Sequence, residues 1–204
     1  MVSYNHRQMH DVTAFILAGG QSSRMGTEKA FLDFQGQMLI DRMITIAKSV
    51  AEQMRIVGPK QKFSAFGQIA TDIYPERGPL GGIHAALEIS RTEFNLMLAV
   101  DIPFVEPKFL EYLLTQARHS EALVTVPKVG GGFQPLCACY RKEFETVADK
   151  ALAAGNNKID ALFTPEITRV IDDQEFAKTG FSAAMFQNLN TKDDYEHAKG
   201  SGAR

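Results

Sequence analysis

VTAFILAGGQSSRMGTEK, residues 12–29, is the stretch on which the architecture turns. From Val12 to Ala18 every residue is apolar or β-branched, and the run stops at Gly19 and Gly20. This predicts a short strand buried on both faces, with a glycine loop at its carboxyl end. The loop joins three glycines and two serines to Arg24 and Lys29. It is not a Walker A loop, in which lysine directly follows the closing glycine, because Thr27 and Glu28 separate Gly26 from Lys29. Nor does it fit the dinucleotide pattern GxGxxG, since Gly19 and Gly20 are adjacent and Gly26 falls too far on.

Beyond this stretch, strand and helix patterns alternate. FLDFQGQ suggests a brief extended piece and a turn, and MLIDRMITIAKSVA repeats apolar residues with helical spacing at Leu39, Ile40, Met43, Ile44, Ala47, Val50 and Ala51. Met54–Gly58 reads as a second strand and residues 69–73 as a third. GPLGGIHAALEIS starts a helix, with Pro79 in its first turn, and NLMLAVDIP, residues 95–103, is a further buried strand running to Asp101. A helix follows through Phe109, Leu113 and Ala117. Next come a strand at ALVTVP, the glycine run Gly130–Gly132, a strand at residues 135–141, and a helix FETVADKALAAG closed by Gly155. ITRVID is the last strand, and NTKDDYEHAK is expected to be a final helix. Such alternation predicts an α/β protein: a single three-layer domain over residues 1–204, with a mostly parallel central sheet flanked by helices. Residues 1–10 and 200–204 are expected to be disordered.

Composition narrows the function classes. The chain has 204 residues, 45% of them hydrophobic, and 22 basic against 24 acidic residues give a formal net charge of −2. An ordinary soluble globular protein fits this balance, and a tail, coat or nucleic-acid binder does not, so an anion site must be local. No apolar run reaches the ~18 residues of a membrane span and the first residues lack a signal-peptide pattern, so a cytoplasmic location is expected. Cys137 and Cys139 alternate along one strand face and read as small buried hydrophobes. His6 and His10 are the one histidine pair with metal-ligand spacing, in a terminus expected to fray.

In open parallel sheets, ligands bind beyond the carboxyl ends of strands, where strand order reverses. Three chemically loaded segments fall at such ends: the glycine loop, Asp72 near the end of the third strand, and Asp101. Glycines let backbone N–H groups approach a polyphosphate. Arg24 offers a planar fork for phosphate oxygens and Lys29 a compact charge. Asp101 could hold Mg²⁺, which takes one or two carboxylates plus substrate phosphates. Each piece has a structural alternative: tight βα packing for the glycines, solvated loop charges for the cations, and turn or cap roles for the aspartates. Together they point to phosphoryl or nucleotidyl transfer.

LAGG, then Ser, then RMG, then Lys resembles the signature loop of the nucleoside triphosphate transferase superfamily. Within it, the segments YPERGPLGGIHAAL, VDIPFVEP, FQPLCACY and FQNLNTKDDY are similar to those of the molybdenum cofactor guanylyltransferases, in family order over nearly the whole chain. The resemblance implies a Rossmann-like nucleotidyltransferase fold and transfer of GMP from GTP to the terminal phosphate of molybdopterin, releasing pyrophosphate. It implies that Leu17, Ala18, Gly19 and Gly20 contact guanosine and phosphates, that Arg24 and Lys29 hold the triphosphate, that Asp72 lies by the nucleotide and Gly82 near the guanine, and that Asp101 binds Mg²⁺. Arg24, Lys29 and Asp101 are the catalytic candidates. Gln134, Lys158, Asn188 and Asn190 are implied on the acceptor side, so that residues 1–105 form a nucleotide-binding half and 106–199 an acceptor-binding half. Proteins of molybdenum-cofactor biosynthesis are candidate partners, with neither nucleic acid nor membrane expected. A relative using CTP or a sugar phosphate, and a non-catalytic nucleotide-binding module, are the alternatives that the residues leave open.

Overall fold

A computed structural model describes residues 9–19, 29–71, 74 and 77–189. The expected final helix at NTKDDYEHAK, and most of the termini expected to be disordered, lie outside the described residues.

β1 (Val12–Leu17) is buried at every position, and its side chains alternate between the two faces of the sheet. Val12, Ala14 and Ile16 enter one core, while Phe15 and Leu17 enter the other. This is the two-sided burial that a continuous apolar run requires of a central parallel strand. β4 (Gln53–Val57) lies parallel on one side of it and β6 (Phe94–Ala99) parallel on the other. β5 (Gln68–Ala70) extends the sheet beyond β4. Beyond β6 come β9 (Cys137–Arg141), β7 (Val124–Val129) and β10 (Thr168–Ile171), giving the order β10-β7-β9-β6-β1-β4-β5, with β8 (Gly132–Phe133) paired to β7. β9 is antiparallel to both β6 and β7, so those two run the same way and β10 runs with them. The sheet is thus mostly parallel. A short antiparallel pair, β2 (Asp33–Phe34) with β3 (Gln37–Met38), stands apart and matches the expected extended piece and turn.

The helices form the outer layers. Residues of α1 (Leu39–Lys48), α4 (Pro107–Arg118) and α6 (Asp173–Thr179) share a core with one face. Those of α3 (Gly78–Ile89) and α5 (Phe144–Ala153) cover the other. Cys137 and Cys139 are free and buried on the first of these faces, and burial pushes the Cys139 thiol up to about 12 and that of Cys137 higher still. They pack as hydrophobes, as expected. None of the described helices is long and apolar enough to cross a membrane.

Some boundaries differ from the sequence reading. The strand expected over residues 69–73 ends at Ala70, and the strand expected to run to Asp101 ends at Ala99, where the chain enters a turn ahead of Pro103. A short helix, α2 (Lys60–Phe63), lies in the connection between β4 and β5. The expected strand end Asp172 instead caps α6, accepting a hydrogen bond from the Glu175 amide at 2.8 Å. Asp172 and Glu175 form an acidic version of the Ser-x-x-Glu signature, and Gly180 at φ 75° ends the helix.

Candidate active site

The chain leaves β1 outward through β4 and β5, then returns to place β6 on β1's other side. The switch point therefore lies between the carboxyl ends of β1 and β6, where Leu17 is paired with Ala99. Two short stretches emerge there side by side. Ala18 and Gly19 both donate their N–H groups to the Val57 carbonyl at 3.0 and 3.1 Å, which draws the start of the glycine loop over the end of β4. Val100 donates to the Leu17 carbonyl at 3.2 Å, which carries Asp101 to the same edge.

At that edge the Lys29 ammonium meets the Asp101 carboxylate, Nζ to Oδ2, at 3.0 Å. The two side chains are 20% and 19% exposed, so the pair is partly shielded yet open to a ligand. They are 72 residues apart in sequence, and the parallel crossing of β1 and β6 is what joins them.

Several residues that the sequence reading did not single out fix Asp101 in place. The Arg42 Nε donates to the Pro103 carbonyl at 2.6 Å, and its guanidinium stands 5.6 Å from the centre of the Phe34 ring. Phe34 in turn meets Phe104 edge-on at 5.4 Å. The turn after Asp101 is thereby clamped to α1 and to the β2–β3 hairpin. From the far end of the chain, Leu189 is fully buried with Phe34 and Leu39 and donates its N–H to the Asp101 carbonyl at 3.0 Å. This brings the exposed Asn188 to the same edge. The signals were the IDR at the start of α1 and the one apolar residue of NLN, each readable only once the partner was known.

Of the other expected site residues, Gln134 reaches this edge through the reversal of β9. Because β9 runs against β6, its amino end lies beside β6's carboxyl end, and Leu136 accepts from the Ala99 N–H at 2.8 Å. Gln134 is held two residues earlier by its own N–H to Pro127 at 2.9 Å. Gly82 is buried within α3, where a Cβ would come 3.1 Å from Leu17 Cδ2 and 3.6 Å from Val57 Cγ1. Glycine thus lets α3 lie close on the ends of β1 and β4, a packing role at the edge the nucleotide is expected to use. Lys158 is exposed and begins the 3₁₀ turn Ile159–Leu162. Gly20, Arg24, Asp72 and Asn190 lie outside the described residues.

A second set of contacts ties α3 to α5. Arg77, just before α3, donates to Asn157 Oδ1 at 3.3 Å, next to Lys158. The Tyr74 hydroxyl donates to Asp149 at 3.0 Å, and this hydrogen bond is the main cause that raises its pKa. Buried His84 sits edge-on to the Tyr74 ring, its Nε2 3.6 Å from the same carboxylate. The loop bearing Lys158 is thus linked to the start of α3.

Asp101 suits a hard cation. It offers one partly shielded carboxylate at the switch point, and no group of three or more His, Cys, Asp or Glu residues stands ready as a metal cage among the described residues. A Mg²⁺ ion that draws its remaining ligands from phosphates and water fits that donor set.

Known proteins match the chain in sequence and in fold. Residues 14–170 match the family model described as a MobA-like NTP transferase domain. A Clostridium perfringens (strain 13 / Type A) protein named "Probable molybdenum cofactor guanylyltransferase" is 35% identical over 188 residues, covering 90% of this chain and 94% of that one. The molybdenum cofactor guanylyltransferase of Desulfosudis oleivorans is 33% identical over 195 residues, covering 94% and 96%. Among solved structures, molybdopterin-guanine dinucleotide biosynthesis protein A of Archaeoglobus fulgidus superposes with a TM-score of 0.80 at 25% identity, covering 94% of this chain and 98% of that one. An α/β sheet crossing at Lys29 and Asp101 and matches of this extent lead to one conclusion: the chain belongs to the family of MobA-like NTP transferase domains.

Proposed function

We propose that the chain transfers GMP from GTP to the terminal phosphate of molybdopterin, forming the guanine dinucleotide and pyrophosphate, as a Mg²⁺-dependent enzyme of the cytoplasm. The observation that carries the reading is the Lys29–Asp101 pair at the switch point, 3.0 Å apart, with the Leu189 N–H on the Asp101 carbonyl. The names of the relatives support the substrates. Residues 1–105 serve the nucleotide and 106–199 the acceptor within one functional unit.

The chemistry asks little of a general base, because the acceptor phosphate is already anionic near neutral pH. An acceptor oxygen attacks the α-phosphorus of GTP, a new phosphorus–oxygen bond forms, and the bond to the bridging oxygen of the leaving pyrophosphate breaks. Repulsion between two polyanions is the main obstacle. Gly19 and Gly20 of the glycine loop border the phosphates, while Leu17, Ala18 and the α3 surface at Gly82 border the guanosine, with Asp72 nearby. Lys29 exchanges the Asp101 carboxylate for triphosphate oxygens and, with Arg24, follows charge onto the departing pyrophosphate. Asp101 holds Mg²⁺, which when bound supplies charge neutralisation and polarisation at the phosphates. Gln134, Lys158, Asn188 and Asn190 orient the acceptor, so that alignment rather than a nucleophilic side chain sets the rate. No covalent enzyme intermediate forms.

The test is pyrophosphate release from each of the four nucleoside triphosphates with Mg²⁺ and molybdopterin. GTP is expected to exceed CTP by about tenfold or more in kcat/KM. Equal or greater use of CTP overturns the base assignment. Pyrophosphate release without molybdopterin but with a sugar phosphate overturns the acceptor.

A further inference from the structure

The β7–β8 hairpin carries a cation that the reaction as described leaves unused. Val124 and Val126 of β7 point into the core beneath α3 and α5, and the same alternation brings Lys128 onto that face at the strand's carboxyl end. In the hairpin Lys128 is paired with Phe133, and its Nζ lies 4.9 Å from the centre of the Phe133 ring. Phe133 immediately precedes Gln134. Its ring meets Phe163 edge-on at 5.1 Å, and Phe163 ends the 3₁₀ turn that Lys158 begins. Two acceptor-side stretches, GGFQPL and GNNKID, therefore converge on one aromatic pair, with Lys128 over one ring and Lys158 starting the turn that carries the other.

The setting is built rather than loose. Gly130 and Gly131, at φ 60° and 82°, make the tight turn of the hairpin, and Asp173 accepts the Gly130 N–H at 3.0 Å. Lys128, Phe133 and Phe163 are all half-buried. Among the described residues the Lys128 ammonium meets no carboxylate; its contact is the ring face. A lysine held at a strand end on an aromatic ring, with its charge unneutralised, is preset for an anion. That anion is assigned to the acceptor: in the sheet order β7 stands three strand spacings from β1, about 14 Å, and Lys128 shares its aromatic pair with the stretches that carry Gln134 and Lys158.

We infer that Lys128 is an acceptor-binding cation, its ammonium taking an oxygen of the acceptor's phosphate ester while Phe133 and Phe163 offer apolar contact to the planar heterocycle. The inference rests on the guanylyltransferase reading above. It is tested by steady-state kinetics of the full chain and its Lys128→Met and Lys128→Arg variants with GTP, Mg²⁺ and molybdopterin, together with calorimetric binding of GTP alone. Lys128→Met is expected to raise the molybdopterin KM about tenfold, with GTP affinity and kcat moving by less than about twofold, and Lys128→Arg is expected to restore most of the loss. An unchanged molybdopterin KM in Lys128→Met overturns the inference and leaves the activity standing. So does a loss of GTP affinity, which would move Lys128 to the nucleotide. If the unaltered chain makes no dinucleotide, the parent reading falls and the inference falls with it.

Discussion

Asp101 and Lys29 are each one-fifth exposed and held to one another, so each can be removed with little cost to the core. A partly shielded pair of this kind contributes about 1–2 kcal/mol, and Asp101→Ala is expected to shift Tm by less than about 8 °C with the fold intact. Its kcat should fall by about 10³-fold or more, because the carboxylate acts where charge develops. Steady-state rates beside a thermal melt check both halves of this statement, and near-normal turnover would remove Asp101 from the chemistry. Lys29→Ala is expected to lower kcat by about 10²-fold if the ammonium follows the leaving pyrophosphate. A rise in the GTP KM with kcat intact would assign Lys29 to ground-state binding instead. Both residues were legible in the sequence because a charge beside a glycine turn or at the end of an apolar run is unusual. Arg42 and Leu189 were not, since each acts on Asp101 through a backbone carbonyl and such contacts leave no trace in residue type.

Among the elements, α3 sets how closely its layer approaches the sheet. Gly82→Val would drive a branched side chain into Leu17 and Val57, and is expected to cost about 1–3 kcal/mol in urea unfolding while raising the GTP KM more than the molybdopterin KM. Equal stability and an unchanged GTP KM would show that α3 does not border the nucleotide. The central elements were readable from pattern alone: β1 and β6 as continuous apolar runs, α1 and α4 from their spacing, and α3 from Pro79 in its first turn. Two features were not. The antiparallel course of β9 follows from tertiary pairing, and PLCACYR reads the same in either direction. The helix α6 is only seven residues long, too short for periodicity to register, and its signal lay in the cap Asp172 rather than in its apolar residues.

Across the whole molecule, the candidate site and a buried polar network occupy opposite edges of the sheet. At the amino ends of the central strands, Asn95 is fully buried, with its side chain bonded to Ser90, to the Thr92 carbonyl at 3.3 Å and to the Tyr140 carbonyl at 3.2 Å. Thr92 bridges on to Thr13 at 2.8 Å, which joins β1, β6 and β9 through one polar network. Asn95→Ala leaves several of these groups without partners and is expected to cost on the order of 3 kcal/mol in urea unfolding, with kcat of the folded protein retained. Loss of activity without loss of stability would contradict this separation. The net charge of −2 gives the molecule no general attraction for polyanions, so the local cations at the carboxyl edge must do the selecting. In the proposed reaction the bond broken in GTP lies at its α-phosphorus. This is tested most directly by running parallel reactions with molybdopterin, Mg²⁺ and GTP labelled at either the α- or the γ-phosphate. The α label is expected in a guanine–pterin dinucleotide and the γ label in pyrophosphate. Label from the γ-phosphate on the pterin, or α label recovered in GDP, would contradict it.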